Sequence, residues 1–176
     1  YEILQEHGIA GTTLAKVAER AGMSKGIVLH YFRNKDDLLE AVMRLANALL
    51  RDEVVRRIRR AEEDAGGNHR KRIEAIVAGN FAPNFFKPEI CNAWLSFCAE
   101  VPRNREFARI QRVIHARMRS NLLSALRALL PAGEVEAAVI GITAMIDGLW
   151  LRFGLSLGGL TREQALIEME RDLEKL

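Results

Sequence analysis

A chain of 176 residues, 49% of them hydrophobic, is long enough to bury a substantial core and too apolar to be disordered. Its net charge of +3, from 26 basic against 23 acidic residues, is compatible with nucleic acid as a partner but does not demand it. The two cysteines, Cys91 and Cys98, exclude a disulfide scaffold: seven residues apart on a helix, they lie about 10.5 Å apart along its axis, so buried thiols are expected.

The chain starts at Tyr1 inside an apolar periodic run (Ile3, Leu4, His7), so the protein is expected to begin upstream, with an arm that reaches the DNA minor groove. Leu14, Val17, Ala18 and Ala21 then recur at helical intervals and predict a short amphipathic helix over Thr13 to Ala21. Thr12 or Thr13 caps its start and Gly22 ends it. Ser24 is the N-cap of a second short helix through Tyr31. Two short helices joined by a tight glycine turn make a helix-turn-helix unit, whose second helix enters the major groove. A helical hairpin that merely packs satisfies the same spacing.

Asn34 caps a long helix running to about Arg60, with Asp36 and Asp37 in its first turn, and Gly66-Gly67 breaks the chain. Further helices are predicted over His69 to Phe81, Pro88 to Val101, Arg105 to Leu130 and Glu134 to Leu157. Thr161 and Gln164 form a capping box for the last one. The fold class is therefore all-α, with about nine helices: a three-helix helix-turn-helix domain over residues 1–45, then a larger helical domain over residues 46–176. The longest apolar run, Ala137 to Leu151, is interrupted by Thr143, Asp147 and two glycines, so no membrane span is expected and the predicted location is the cytoplasm.

The run TTLAKVAERAGMSKGIVLHYFRNKDDLL closely resembles the DNA-binding domain of TetR-type repressors. It shares the paired threonines, A-G-x-S-x-G, H-Y-F and K-x-x-L-L with that family, without a gap from Gly8 to Leu39. By that resemblance the DNA contacts are Thr13, Ser24, Lys25, Gly26, His30, Tyr31 and Lys35, while Phe32 and Leu38 point inward. Leu29 stands where many members carry tyrosine, which removes one phosphate contact. The resemblance implies a repressor that binds a palindromic double-stranded operator as a homodimer, with residues 1–45 reading DNA and residues 46–176 forming a ligand-binding and dimerisation domain. Ala137, Ala138, Ile140, Gly141, Ala144, Met145 and Gly148 form a small-residue surface on one helix, and Leu166, Met169, Leu173 and Leu176 an apolar stripe on the last. These two helices are the expected dimer interface, as a four-helix bundle; the competing reading packs both stripes inside one monomer.

Asn80-Phe81, the N-A-W-L-x-F run ending at Phe97, and the I-D-G-L-W-L-R run from Ile146 resemble the sensor domain of BetI-like repressors, for which choline is the implied effector. Aromatic faces hold a quaternary ammonium by cation–π attraction, worth ~0.5–2 kcal/mol for a well-placed ring. Trp94, Phe97, Trp150 and Phe81 are the candidate rings, Asp147 the countercharge and Asn80 a polar contact. The same residues also read as core, with Asp147 paired to Arg152. A sensor of other lipophilic or cationic compounds, controlling efflux or catabolism, is the alternative. An enzyme would have to use Cys91 or Cys98 with His115, or Glu100 and Glu106, and none of these forms a triad or metal-ligand spacing. No catalytic residue, metal or cofactor is expected.

Overall fold

The computed structural model describes residues 1–176, apart from the Leu157 side chain. Among the described residues there are nine α-helices and no strand, as the sequence predicts. The first three are short: α1 (Glu2–Gly11), α2 (Leu14–Arg20) and α3 (Lys25–Tyr31). The long α4 (Lys35–Ala65) follows, then α5 (His69–Asn80), α6 (Pro88–Glu100), α7 (Arg105–Leu126), α8 (Ala132–Gly154) and α9 (Arg162–Leu173).

The predicted caps form. Thr13, Ser24 and Asn34 accept from the backbone N–H of Lys16, Ile27 and Asp37, and Thr161 and Gln164 close a reciprocal capping box. Each such cap is worth about 1 kcal/mol to its helix. Several helix ends differ from the sequence expectation; α8, for one, stops at Gly154 rather than Leu157, where the chain closes in a turn ahead of Gly158-Gly159. α4 continues past Arg60 to Ala65, because its solvent-facing charges outlast its apolar periodicity and only Gly66, at φ 57°, stops it. α7 ends at Leu126 rather than Leu130, since residues 127–130 close as turns, and Pro131 then opens α8 two residues earlier than expected.

Two apolar clusters organise the packing. One gathers α5, α7, α8, α9 and the far half of α4 around Ile76, Leu122, Leu126, Ile146 and Met169. The other joins Leu4 of α1 and Leu38, Leu39 and Met43 of α4 to Phe97 of α6 and Phe107 of α7. Through it α1 packs on α6, so the head shares a core with the larger helical body. Trp94 touches both clusters. α6 and α8 approach so closely that a Cβ on Gly154 would stand 2.8 Å from the Cys91 carbonyl carbon.

Three sequence expectations are refined here. Cys91 is buried and Cys98 half-buried; burial pushes the thiols up, to about 12 and about 11 respectively. α8 is, by length and composition alone, long and apolar enough to cross a membrane, contrary to the reading of its polar interruptions. One side of it nevertheless packs on α6 and α7. The α9 stripe lies partly inside the fold, with Met169 and Leu173 buried in the first cluster.

Candidate functional site

The first candidate surface is α3. Only Val28 is buried in it, so α3 is anchored by one side chain and turns the rest outward. Met23, Ile27, Leu29 and Tyr31 are all exposed, with Tyr31 at 72%. Lys25 and His30 stand beside this apolar patch, and the His30 and Tyr31 rings meet edge to face at 5.5 Å. An exposed apolar and basic patch of this kind marks a surface that has a partner. Ser24 and Thr13 spend their hydroxyls on capping, each at the start of a helix where backbone N–H groups face outward.

Cations near α3 divide into committed and uncommitted. Arg20 is held by Glu6 at 2.5 Å and Glu2 at 3.2 Å, tying α2 to α1. These carboxylates push the Arg20 guanidinium above its usual value, and Arg20 in turn pulls Glu6 down. Arg33 is paired with Asp37 at 2.8 Å. Lys35 is tethered too, donating from Nζ to the Ala10 carbonyl at 2.9 Å. Lys16 and Lys25 carry no carboxylate partner within 4.0 Å among the described residues and stand exposed. Gly26 adds open space: a Cβ there would come no nearer than 3.8 Å to the Ser24 Oγ.

The second candidate is a cavity between the two apolar clusters. It is walled by α1, α4, α6, α7 and α8, by Asn80 at the end of α5 and by Phe85. The volume open to the centre of a water molecule is about 80 Å³, several times what one water requires. Four of the six sequence-predicted ligand residues line it: Asn80, Trp94, Asp147 and Trp150. The Trp94 and Trp150 rings lie 6.4 Å apart at 74°. Trp150 Nε1 donates to the Asn80 carbonyl at 3.2 Å, which fixes the indole. Asn80 is buried and donates from Nδ2 to the Ile76 carbonyl, while its Oδ1 accepts no hydrogen bond. The other two residues lie behind the wall. Phe97 is fully buried beneath Trp94, stacked at 5.3 Å, and Phe81 is fully buried against Phe86.

Asp147 makes no ion pair among the described residues, with Arg152 or any other cation. Asp147 is exposed, yet the protein atoms packed around it raise its carboxyl above the usual carboxylate range. His115 on α7 opposes that shift, and Asp147 itself helps push the Cys98 thiol of α6 up. The site is an unpaired carboxylate beside two indoles in an apolar chamber.

Sequence reasoning missed much of the chamber. Met43, Ala46, Asn47 and Leu50 of α4, Ile114 and Met118 of α7, and Phe85 complete the wall. The α4 residues recur at i, i+3, i+4 and i+7, a periodicity indistinguishable from a core face. Tyr1, Leu4 and Gln5 of α1 also line it.

Comparison with known proteins gives the family. Residues 69–176 match a family described as BetI-type transcriptional repressor, C-terminal, and residues 1–42 match bacterial regulatory proteins, tetR family. The chain is 40% identical over 164 residues to the HTH-type transcriptional regulator BetI of Escherichia coli K12, covering 93% of this chain and 83% of that protein. The counterpart in Escherichia coli O127:H6 is 41% identical over 155 residues, covering 88% of this chain and 78% of that protein. A TetR transcription regulator from Haloarcula marismortui has the same fold, with a TM-score of 0.83 at 20% identity over 100% of this chain and 93% of that one. A transcriptional regulator from Rhodococcus sp. Rha1 gives 0.82 at 22% identity, over 99% and 89%.

Proposed function

The chain belongs to the TetR family of bacterial regulators and carries a BetI-type repressor C-terminal domain, and from that membership we propose that a quaternary ammonium compound, choline or a relative of it, is its effector. It is a DNA-binding transcriptional regulator and not an enzyme. In this reading residues 1–45 hold the DNA-reading surface and residues 46–176 the sensor. It acts in the cytoplasm on a palindromic operator as a homodimer through α8 and α9. The observation that carries the effector class is the unpaired Asp147 carboxylate beside Trp94 and Trp150.

The chemistry is direct. A trimethylammonium group cannot donate a hydrogen bond, so it is recognised by ring faces and a countercharge rather than by carbonyls. The alcohol end of choline donates to Asn80 Oδ1, which no protein group occupies. Thr13, Ser24, Lys25, Gly26, His30, Tyr31 and Lys35 meet the operator, with Lys35 placed by its bond to Ala10. Ligand in the chamber touches Met43 and Leu50 of α4, the same helix that starts at the recognition unit. A tilt of α4 then changes the separation of the two heads and lowers operator affinity, provided the ligand prefers the DNA-incompetent state.

Trp94 and Trp150 are the only tryptophans, so fluorescence reads the chamber directly. Titration with choline, betaine aldehyde and glycine betaine is expected to quench saturably, and Asp147→Asn to weaken binding. The raised Asp147 carboxyl takes up a proton as pH falls, and a cation binds only the ionised form. Affinity should therefore drop between neutral pH and the ordinary carboxylate range, and Asp147→Asn should flatten that profile. Absence of quenching and of any thermal shift with all three compounds would sink the quaternary-ammonium reading.

A further inference from the structure

Arg117 on α7 is half-buried and makes no ion pair or hydrogen bond among the described residues. It stands with Arg51 of α4 where two clefts meet in the seam between α4 and α7. No acidic residue lines either cleft, and the larger has a volume of about 220 Å³ open to the centre of a water molecule. Asn121, one turn beyond Arg117, lines the smaller cleft, and its side-chain amide makes no hydrogen bond among the described residues.

The two ends of the seam differ in charge balance. At the end nearer the head, Arg44 and Arg109 share Glu106 at 3.7 and 3.5 Å, and Glu40 holds Arg44 at 2.6 Å, so two cations meet two carboxylates. At the other end Arg51 and Arg117 have one carboxylate nearby, Asp52, and Arg51 takes it at 2.7 Å. Arg117 is left over. Burial, and then the like charge of Arg51, push its guanidinium below its usual value. Two guanidiniums from different helices are costly to hold together partly out of water unless an anion lies between them. The planar fork of each offers a carboxylate or phosphate two parallel hydrogen bonds.

We propose that Arg51, Arg117 and Asn121 form an anion site at the α4–α7 seam that takes the phosphate or carboxylate group of a small molecule. The side chains of Leu50, Ile114 and Met118 stand between this site and the aromatic chamber, so its ligand is a separate one and does not depend on what the chamber binds. Arg51 lies about 24 Å along α4 from Lys35, far from α3, so a small molecule rather than the operator backbone supplies the anion.

Calorimetric titration of the full chain with inorganic phosphate and with succinate, at an ionic strength held constant with sodium chloride, tests this. At least one is expected to bind saturably, and the one that does gives the chemical class. Arg117→Met keeps the apolar stem and removes the charge, and should weaken that anion about tenfold or more, the size of a charge-assisted hydrogen bond. Asn121→Ala should weaken it about threefold. Arg44→Met, at the balanced and exposed end, should leave it within about twofold. Without added anion, Arg117→Met should melt at or above the wild-type temperature, because the charge it removes has no partner. Four results would each overturn the proposal: no saturable binding of either anion, an affinity unchanged by Arg117→Met, an equal loss in Arg44→Met, or a loss in Arg117→Met accompanied by a melting temperature several degrees lower, which would place Arg117 in the fold. A slope of log operator affinity against log salt that Arg117→Met reduces by about one would overturn it too, since the guanidinium would then belong to the DNA backbone.

Discussion

Gly26 is the residue whose identity the monomer explains least. It sits in the first turn of α3 at an ordinary helical φ, with room for a Cβ. Alanine would raise helix propensity by about 1 kcal/mol, so nothing inside the fold favours glycine there. The proposed DNA contact supplies a reason outside the fold: a glycine would let the helix N-terminus approach a DNA backbone closely. Gly26→Ala is expected to keep or raise the melting temperature while weakening operator binding, measured by gel shift against thermal denaturation. Lys25→Ala should reduce the slope of log affinity against log salt by about one, because one phosphate contact is lost. The two short helices of the head and their caps were legible because a helix-turn-helix is one continuous segment. The chamber was legible only in part. Trp94 and Phe97 are three apart and share a face, as their spacing says. Spacing does not say which of two stacked rings fronts the cavity, and Phe97 lies underneath, sealed by Phe107.

Among the elements, the contact of α6 with α8 sets the shape of the chamber, since Trp94 rides on one and Trp150 on the other. Gly154 lets the two backbones meet: a Cβ would fall 2.8 Å from the Cys91 carbonyl carbon and 2.9 Å from the Asn92 nitrogen. Those neighbours are main chain and cannot rotate away. Gly154→Ala is expected to cost about 1–3 kcal/mol in chemical denaturation and to widen the chamber, shifting tryptophan emission without touching any wall residue. The capped helix starts and the stops at Gly22 and Gly66 were readable because caps and positive-φ glycines are local devices, whereas α8 starts ahead of Glu134 and stops at Gly154, before Gly158-Gly159. The ends of α4 and α7 were not, because neither is set by apolar periodicity: α4 runs on through charged residues and α7 frays before a proline. The inward turn of α9 is likewise a tertiary choice. Its stripe of Leu166, Met169, Leu173 and Leu176 suits a partner subunit or the monomer's own core equally well; Met169 and Leu173 entered the core, and Leu166 and Leu176, partly buried, pack against it.

For the whole molecule, the unmet surface is α8. Ala137, Ile140, Gly141, Ala144, Leu151 and Leu155 follow one helical face and all are exposed, Ile140 at 62%. Gly141 and Gly148 have nothing within 4 Å of a built Cβ, so that face is open rather than packed. Such a helix has the length and hydropathy of a membrane span, but the family to which the chain belongs consists of DNA-binding regulators, and in the proposed homodimer a second copy of the same face would cover the stripe. Ile167 of α9, also exposed, extends the patch at the end of the bundle. A two-fold axis through α8 would carry two α3 helices to half-sites about 34–36 Å apart, one turn of DNA. Gly141→Arg tests this with little risk to the fold, because the arginine side chain enters open space in the monomer and an apolar interface only in the dimer. Circular dichroism should be unchanged, light scattering should report the monomer mass, and operator affinity should fall about a thousandfold or more, toward non-specific binding. A Gly141→Arg protein that stays dimeric and keeps its operator affinity would move the interface away from α8. In that case the exposed stripe has some other cover, and the spacing of the heads is set elsewhere in the chain.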